Sequence, residues 1–359
     1  MKLTKQPLSC NLPFIPVHTI GMDLGDRVHH YCVLDHVTGD IIKEGTVPND
    51  RLALKGFLFK HKKSRVIMEC GMQSPWISRY LTKLRAEVIV ANPRKVKAIY
   101  GAERKSDKRD AVMLARIGRV DTNLLSPIIH GSEEAQKEML AIKMRDALVR
   151  QRVSLINTIR FTLKSLGLRV RSTDTRSFHR KAYKDIPKEY HHVFSPLLSL
   201  LKSYTDQIKD YQKQFDTIAL KHEVAQRLMK IRGVGSITAL TFIHKIEDPK
   251  RFQKARDVGA YLGLVPKRDQ SGDTDKQLRI SKAGDHYLRR LLISAAQYIM
   301  GPFGEDCDLR TFGEKLAASG GARAKKRAVV AVARKLTTLM LTLWKKAETP
   351  YEANYLKAA

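Results

Sequence analysis

Two aspartates, Asp107 and Asp110, stand three residues apart in the stretch KSDKRDA (105–111), among Arg104, Lys105, Lys108 and Arg109. At that spacing they share one face of a helix. Two chemistries fit. One is an acidic helix start, favoured by the helix dipole and salt-bridged to its neighbours. The other is a pair of oxygen ligands for a divalent cation, with the surrounding cations holding a phosphate backbone.

Two further acids bear on the choice. Asp23 interrupts the apolar run IGMDL (20–24), and Glu69 ends the apolar stretch RVIME (65–69). A buried carboxylate without a partner is costly, so each needs compensation. If both lie on neighbouring strand ends, and the helix of Asp107 and Asp110 crosses those ends, four carboxylates converge. Like charges at close range raise one another's pKa. Mg²⁺ (or Mn²⁺) would relieve the repulsion, taking a few carboxylates and keeping positions for water and substrate oxygens. Two such ions about 3.5–4 Å apart clamp the attacking and leaving oxygens of a phosphodiester.

The C-terminal third has its own candidates. Gly233 and Gly235, in IRGVGSITALTFIHKI (231–246), can expose backbone N–H groups to a phosphate, although glycine-rich helix turns are common. Ser271, in DQSGD (269–273), suits an accessible nucleophile and equally an ordinary Ser-Gly turn. Ser281 is a second, lower-ranked serine nearby. Arg279, Lys282, Arg289 and Arg290 follow and are candidates to neutralise phosphate charge. The last helix opens with RAKKR (323–327), cations at the end the dipole disfavours; a docked phosphate would relieve that conflict.

The elements that must position these groups are legible from pattern. Residues 16–130 read as strands at 17–25, 29–35, 40–47, 65–70 and 86–92. Helices at 49–61 and 74–84 lie between them, with Asn49 or Asp50 capping the first and Ser74 the second. The helix of Asp107 and Asp110 follows. The order β-β-β-α-β-α-β-α predicts an RNase H-like (RuvC-like) α/β domain. Residues 131–225 read as long helices around a looser basic stretch at 169–190. In the second helix Leu197, Leu201, Tyr204, Ile208, Tyr211, Phe215 and Ile218 recur at steps of four and three, a coiled-coil spacing. The first has a weaker seam of Met144, Leu148, Leu155, Ile159 and Leu166. An intramolecular hairpin and an oligomerisation arm both satisfy this. Residues 226–347 form a mainly α third domain with a helix-hairpin-helix-like element, a loop-rich stretch at 259–284, a helix at 285–300 capped by Asp285, and a last helix to about 346.

Composition narrows the partner. The 359 residues carry 66 Lys+Arg against 36 Asp+Glu, a formal net charge of +30. Such an excess is self-repelling unless a polyanion offsets it, and no apolar run approaches the ~20 residues of a membrane span. DNA or RNA is the expected partner, not a membrane. Cys10, Cys32, Cys70 and Cys307 form no C-x-x-C pair, which argues against a structural zinc site. The polar N-terminus has no signal-peptide pattern, so a cytoplasmic, nucleoid-associated setting is expected.

Together the blocks IGMDLG, IMEC, ANPRKVKAIYGAERKSDKRDAVMLARI and IRGVGSITAL…VGAYLGLVPKRDQSGDTDKQLRISKAGDHYLRRLLISAA resemble, in order and over nearly the whole chain, the DEDD-type transposases of the insertion-sequence family numbered one hundred and ten, relatives of the Piv DNA invertase. The resemblance implies that Asp23, Glu69, Asp107 and Asp110 form a metal-binding tetrad and that Ser271, at the family's Ser-Gly position, is a nucleophile linking covalently to DNA. It further implies donor and target DNA, a noncoding guide (bridge) RNA, and a dimer or tetramer. Two departures stand out. Asp26 replaces the Lys of the family's Asp-x-x-Lys, and CGMQSPW replaces a Thr-Gly-x-Tyr-like run after Glu69. Three other classes compete. An actin-like ATPase would need a second Asp-x-Gly strand pair and an adenosine loop, and neither follows residue 130. A Holliday-junction resolvase-like nuclease would use the tetrad alone. A non-catalytic nucleic-acid scaffold would need neither metal nor tetrad.

Overall fold

The computed structural model describes residues 14–99, 106–171, 173–346, 351 and 353. They form two compact units that divide between His130 and Gly131.

The first unit is an RNase H-like α/β fold. Strands β1 (His18–Asp23), β2 (Val28–Asp35), β3 (Ile41–Pro48), β4 (Ser64–Glu69) and β5 (Glu87–Ala91) form one sheet in the order β3-β2-β1-β4-β5. β1 pairs antiparallel with β2 and parallel with β4. β3 is an edge, and its mostly exposed pattern with Lys43 and Glu44 is what an unprotected edge needs. Helices α1 (Arg51–Lys60) and α2 (Ser74–Lys83) cover one face, burying Leu54, Phe57, Ile77 and Leu81 against Ile20, Met22, Val66 and Met68. The Asp50 carboxylate caps α1 by accepting from the Ala53 N–H. Ser74 does not cap α2. Gln73 holds that position without a side-chain bond to the helix, and Pro75 occupies the first turn. Buried Ser74 turns back, its Oγ bonding Gly71 and His130 Nε2. Beyond β5 the chain makes two helices where one was expected: α3 (Pro93–Ile99) and α4 (Asp107–Val120). Ser106 caps α4, its Oγ accepting from the Arg109 N–H. α4 covers the other sheet face, against Cys32, Leu34 and Ile67.

The second unit is mainly helical. Its helices are α5 (Glu133–Ser165), α6 (Phe178–Asp185), α7 (His191–Lys221), α8 (Glu223–Met229), α9 (Ser236–Ile246), α10 (Asp257–Tyr261), α11 (His286–Ile299), α12 (Asp308–Ala317) and α13 (Gly321–Lys345). α5 and α7 pack on each other within the chain. The α7 seam buries Phe194, Leu198, Leu201, Ile208, Phe215 and Ala219. The expected Ile218 is exposed, and Ala219 takes the inward place. The α5 seam keeps Ile159 and, half-buried, Leu155 of the expected set, but Met139, Ile142, Ile156 and Leu163 complete it, while Met144 and Leu166 face out. The first half of α5 packs Met139 and Ile142 with α9, and the second half packs Ile156, Ile159 and Leu163 with α6 and α7, so no single partner sets its seam.

Residues 259–284 are more ordered than a loop. They contain the end of α10 and a hairpin of β6 (Pro266–Ser271) and β7 (Thr274–Ile280). The hairpin is exposed on both faces apart from Ile280, so its sequence lacks the alternation that marks a half-buried strand. The Arg268 guanidinium pairs with both Asp275 carboxylate oxygens and ties the two strands together. α12 was not anticipated either; it packs on α13.

Candidate active site

Strand register brings the acids together. Asp23 ends β1 and Glu69 ends β4. In the parallel pair Gly21 lies beside Ile67, so two residues further on Asp23 and Glu69 fall on that same face. This is the face that α4 covers. A β-carbon on Gly21 would lie 2.0 Å from the Ala111 carbonyl oxygen and 2.4 Å from the Ala115 nitrogen, so the α4 backbone rests directly on β1. Further along α4, Gly118 abuts Ile67 and Arg119 donates to the carbonyls of His36 and Val37, beyond the other end of β2. α4 therefore runs against β1, and its first turn, with Asp107 and Asp110, lies at the Asp23 end. All four carboxylates occupy one face at one end of the sheet.

Their neighbours include residues that pattern alone did not single out. His30 is the register partner of Asp23 on β2, and its Nδ1 is 3.7 Å from an Asp107 oxygen. The Lys108 ammonium is 2.8 Å from a Glu44 oxygen, and the hydrogen bond to Glu44 raises its pKa. Arg109 is exposed. Arg104 and Lys105 lie outside the described residues.

A polar clamp ties the loops behind the two strand-end acids. Asn49 Nδ2 donates to Gln73 Oε1 and, at 2.8 Å, to the Asp26 carbonyl. Gln73 Nε2 donates to the Gly25 carbonyl at 3.2 Å. With the amide nitrogen of Asn49 so used, its Oδ1 accepts from His29 Nε2 at 3.1 Å. His29 is fully buried, and that burial lowers its pKa. The loop after Asp23 is thereby joined to the residues after Glu69. A paired histidine in an apolar strand, VHHYCVLD, was the available signal.

Among the described residues, no three carboxylate, imidazole or thiol groups form a ready metal cage. The donor set still suits Mg²⁺, which takes one or two carboxylates directly and fills its octahedron with water and substrate oxygens.

In the second unit, Ser271 is the last residue of β6, exposed at the hairpin tip opposite Thr274. Gly272 follows in the turn with φ +52°. Ser281 sits at the hairpin base, its N–H donating to the Val265 carbonyl. Gly233 has φ +87° and packs on α11, where a side chain would meet the Ala295 carbonyl oxygen at 3.0 Å. Gly235 is the N-cap of α9. Beside it, Ser236 Oγ donates to an Asp216 carboxylate at 2.6 Å, so an internal anion already serves that helix start. Arg289 is buried and donates to the Leu262 and Ala283 carbonyls, bracing the hairpin base. Arg290 pairs with Asp146 and lies over the Tyr287 ring. These two guanidiniums hold the chain's own groups in this structure. Arg279 and Lys282 face a groove.

Comparison with known proteins bears on what this arrangement serves. A DEDD transposase model matches residues 20–167, and the model described as Transposase IS116/IS110/IS902 family matches residues 225–306. The transposase for insertion sequence element IS1328 of Yersinia enterocolitica is 30% identical over 292 residues, covering 79% of this chain and 84% of that protein. The chain belongs to the IS110 family of transposases. It is thus an enzyme that acts on DNA. The transposase for insertion sequence element IS1111A of Coxiella burnetii is 28% identical over 346 residues, covering 93% of this chain and 91% of that protein. The pilin gene-inverting protein of Moraxella bovis is 27% identical over 334 residues, covering 89% and 93%. A DEDD domain implies a divalent metal. No helix among the described residues of this transposase is long and apolar enough to cross a membrane.

Proposed function

We propose that this transposase cuts and rejoins the DNA of its insertion sequence with Ser271 as nucleophile and Asp23, Glu69, Asp107 and Asp110 as holders of Mg²⁺. The placement of the four acids at one sheet end carries this reading. When bound, Mg²⁺ would neutralise charge on the phosphate oxygens. Ser271 Oγ forms a bond to phosphorus while the bond from phosphorus to a sugar oxygen breaks. The serine proton leaves, and the departing sugar oxygen takes one up. An exposed hairpin tip gives that oxygen the access a DNA phosphate requires. Arg109, Arg279 and Lys282, with Arg104 and Lys105, serve the phosphate backbone.

Donor and target DNA, a noncoding guide RNA and a dimer or tetramer complete the proposal, which the family resemblance supports. The setting is the cytoplasm, on nucleoid DNA. A resolvase-like reading has one observation in its favour: the four acids all lie within the first unit.

Trapping separates the two. The protein is incubated with Mg²⁺, the element's noncoding RNA and junction DNA, then denatured. A protein–DNA adduct present in wild type and lost in Ser271→Ala is the expected result. DNA cut without an adduct, and still cut by Ser271→Ala, would overturn the serine mechanism.

A further inference from the structure

The second unit holds a groove of about 1860 Å³, of which the reading above uses only Arg279 and Lys282. One wall is a single face of α13, where Arg323, Lys326, Arg327, Arg334 and Lys335 line it. Along α13 the lining runs from Arg323 to Leu343, about 30 Å of helix at 1.5 Å per residue. Facing cations are Arg256, Arg279 and Lys282, and the acid in the lining is Asp308. Between these charges the surface is apolar. α12 contributes Leu309, Phe312 and Leu316, and β7 contributes Leu278 and Ile280. Lys335 Nζ lies 4.1 Å from the centre of the Phe312 ring, so cation and aromatic face are offered together.

The start of α13 shows the same demand. Gly320, its N-cap, supplies no side-chain bond to the first N–H groups. Arg323 stands in the first turn, the end that the dipole makes unfavourable for positive charge, and Lys326 and Arg327 follow in the second. An anion in the groove relieves both.

We infer that this groove binds one unpaired strand of DNA. A duplex offers only its phosphates to such a surface and keeps its bases paired, leaving the apolar floor wet. A single strand presents phosphates to the cations and base faces to the aliphatic and aromatic floor. The enzyme acts on DNA, and moving a strand from one duplex partner to another passes through an unpaired strand. The inference does not depend on Ser271 or the four acids.

The test uses full-length Ser271→Ala protein without divalent metal, so that catalysis contributes nothing and failure of the serine mechanism leaves the result readable. Binding of a single strand of about 16 nucleotides is measured by anisotropy against salt, beside a duplex and an RNA of the same sequence. Arg323→Ala/Lys326→Ala/Arg327→Ala should weaken single-strand binding at least about tenfold and flatten its salt slope by about 2, with duplex binding changed less than about threefold. Leu316→Glu, on a half-exposed floor position, should reproduce the loss. Photocrosslinking from iodouracil in the strand should reach the peptides of Phe312 or Tyr351. Unchanged single-strand binding in both variants would overturn the inference. So would equal losses for strand and duplex, preference for the RNA, or displacement of the strand by an acidic amphipathic peptide.

Discussion

A β-carbon on Gly21 would sit 2.0 Å from the Ala111 carbonyl oxygen, a distance no packing adjustment of side chains can absorb because the Cβ is fixed by its own backbone and meets backbone. This contact sets how low α4 lies on β1, and so how near Asp110 comes to Asp23. Gly21→Ala should force α4 outward. Overpacking of this kind costs about 1–3 kcal/mol or more. DNA joining should fall at least as steeply as in a tetrad variant, with a lowered thermal midpoint; a variant that joins DNA normally would refute the contact's role.

Replacing both Asp107 and Asp110 with Asn preserves the Ser106 cap and the shape of α4 while removing two charges. DNA joining should drop by roughly a thousandfold or more, the rate equivalent of several kcal/mol of lost transition-state stabilisation. DNA binding should persist. Joining at the wild-type rate would remove the metal reading of this pair.

The Asn49–Gln73 clamp predicts a milder phenotype. Gln73→Leu removes the acceptor for Asn49 and the donor to the Gly25 carbonyl. Stability should fall by about 1 kcal/mol. The Mg²⁺ concentration giving half-maximal joining should rise, because the loops behind Asp23 and Glu69 are no longer tied. A change in stability with an unaltered Mg²⁺ titration would limit the clamp to folding.

Asp285 offers a pH test. Burial alone would raise its pKa, but the Lys245 ion pair and the Leu288 and Tyr287 N–H groups outweigh burial and hold it below the usual carboxylate range. A carboxyl depressed in the folded state contributes stability that is complete above its unfolded pKa and is lost as pH falls through the folded value. Asp285→Ala should therefore cost about 1–2 kcal/mol at neutral pH. The deficit should narrow below about pH 4. Urea midpoints at the two pH values measure it; a deficit that widens on acidification would contradict the assignment.

Much of this protein is local information. Alternating apolar runs and turn residues gave the five strands. Asp50 and Asp285 announced their helices because a cap acts within three residues of itself. The four acids were visible as charges that apolar strands and a basic helix start do not need. Their placement at one end of the sheet was not. It depends on β1 pairing in register with β4, and on Gly21 admitting the α4 backbone, contacts between segments far apart in the chain. His30 joins the acids only through its register with Asp23. The β6–β7 hairpin carries no buried face, so no periodicity could reveal it, and the groove exists only because α12, β7 and α13 come together. Arg289 and Arg279 read alike as cations, yet one is enclosed by backbone carbonyls and the other faces the groove. Sequence determined which groups were present; burial and register, which are properties of the packed chain, decided which of them could act.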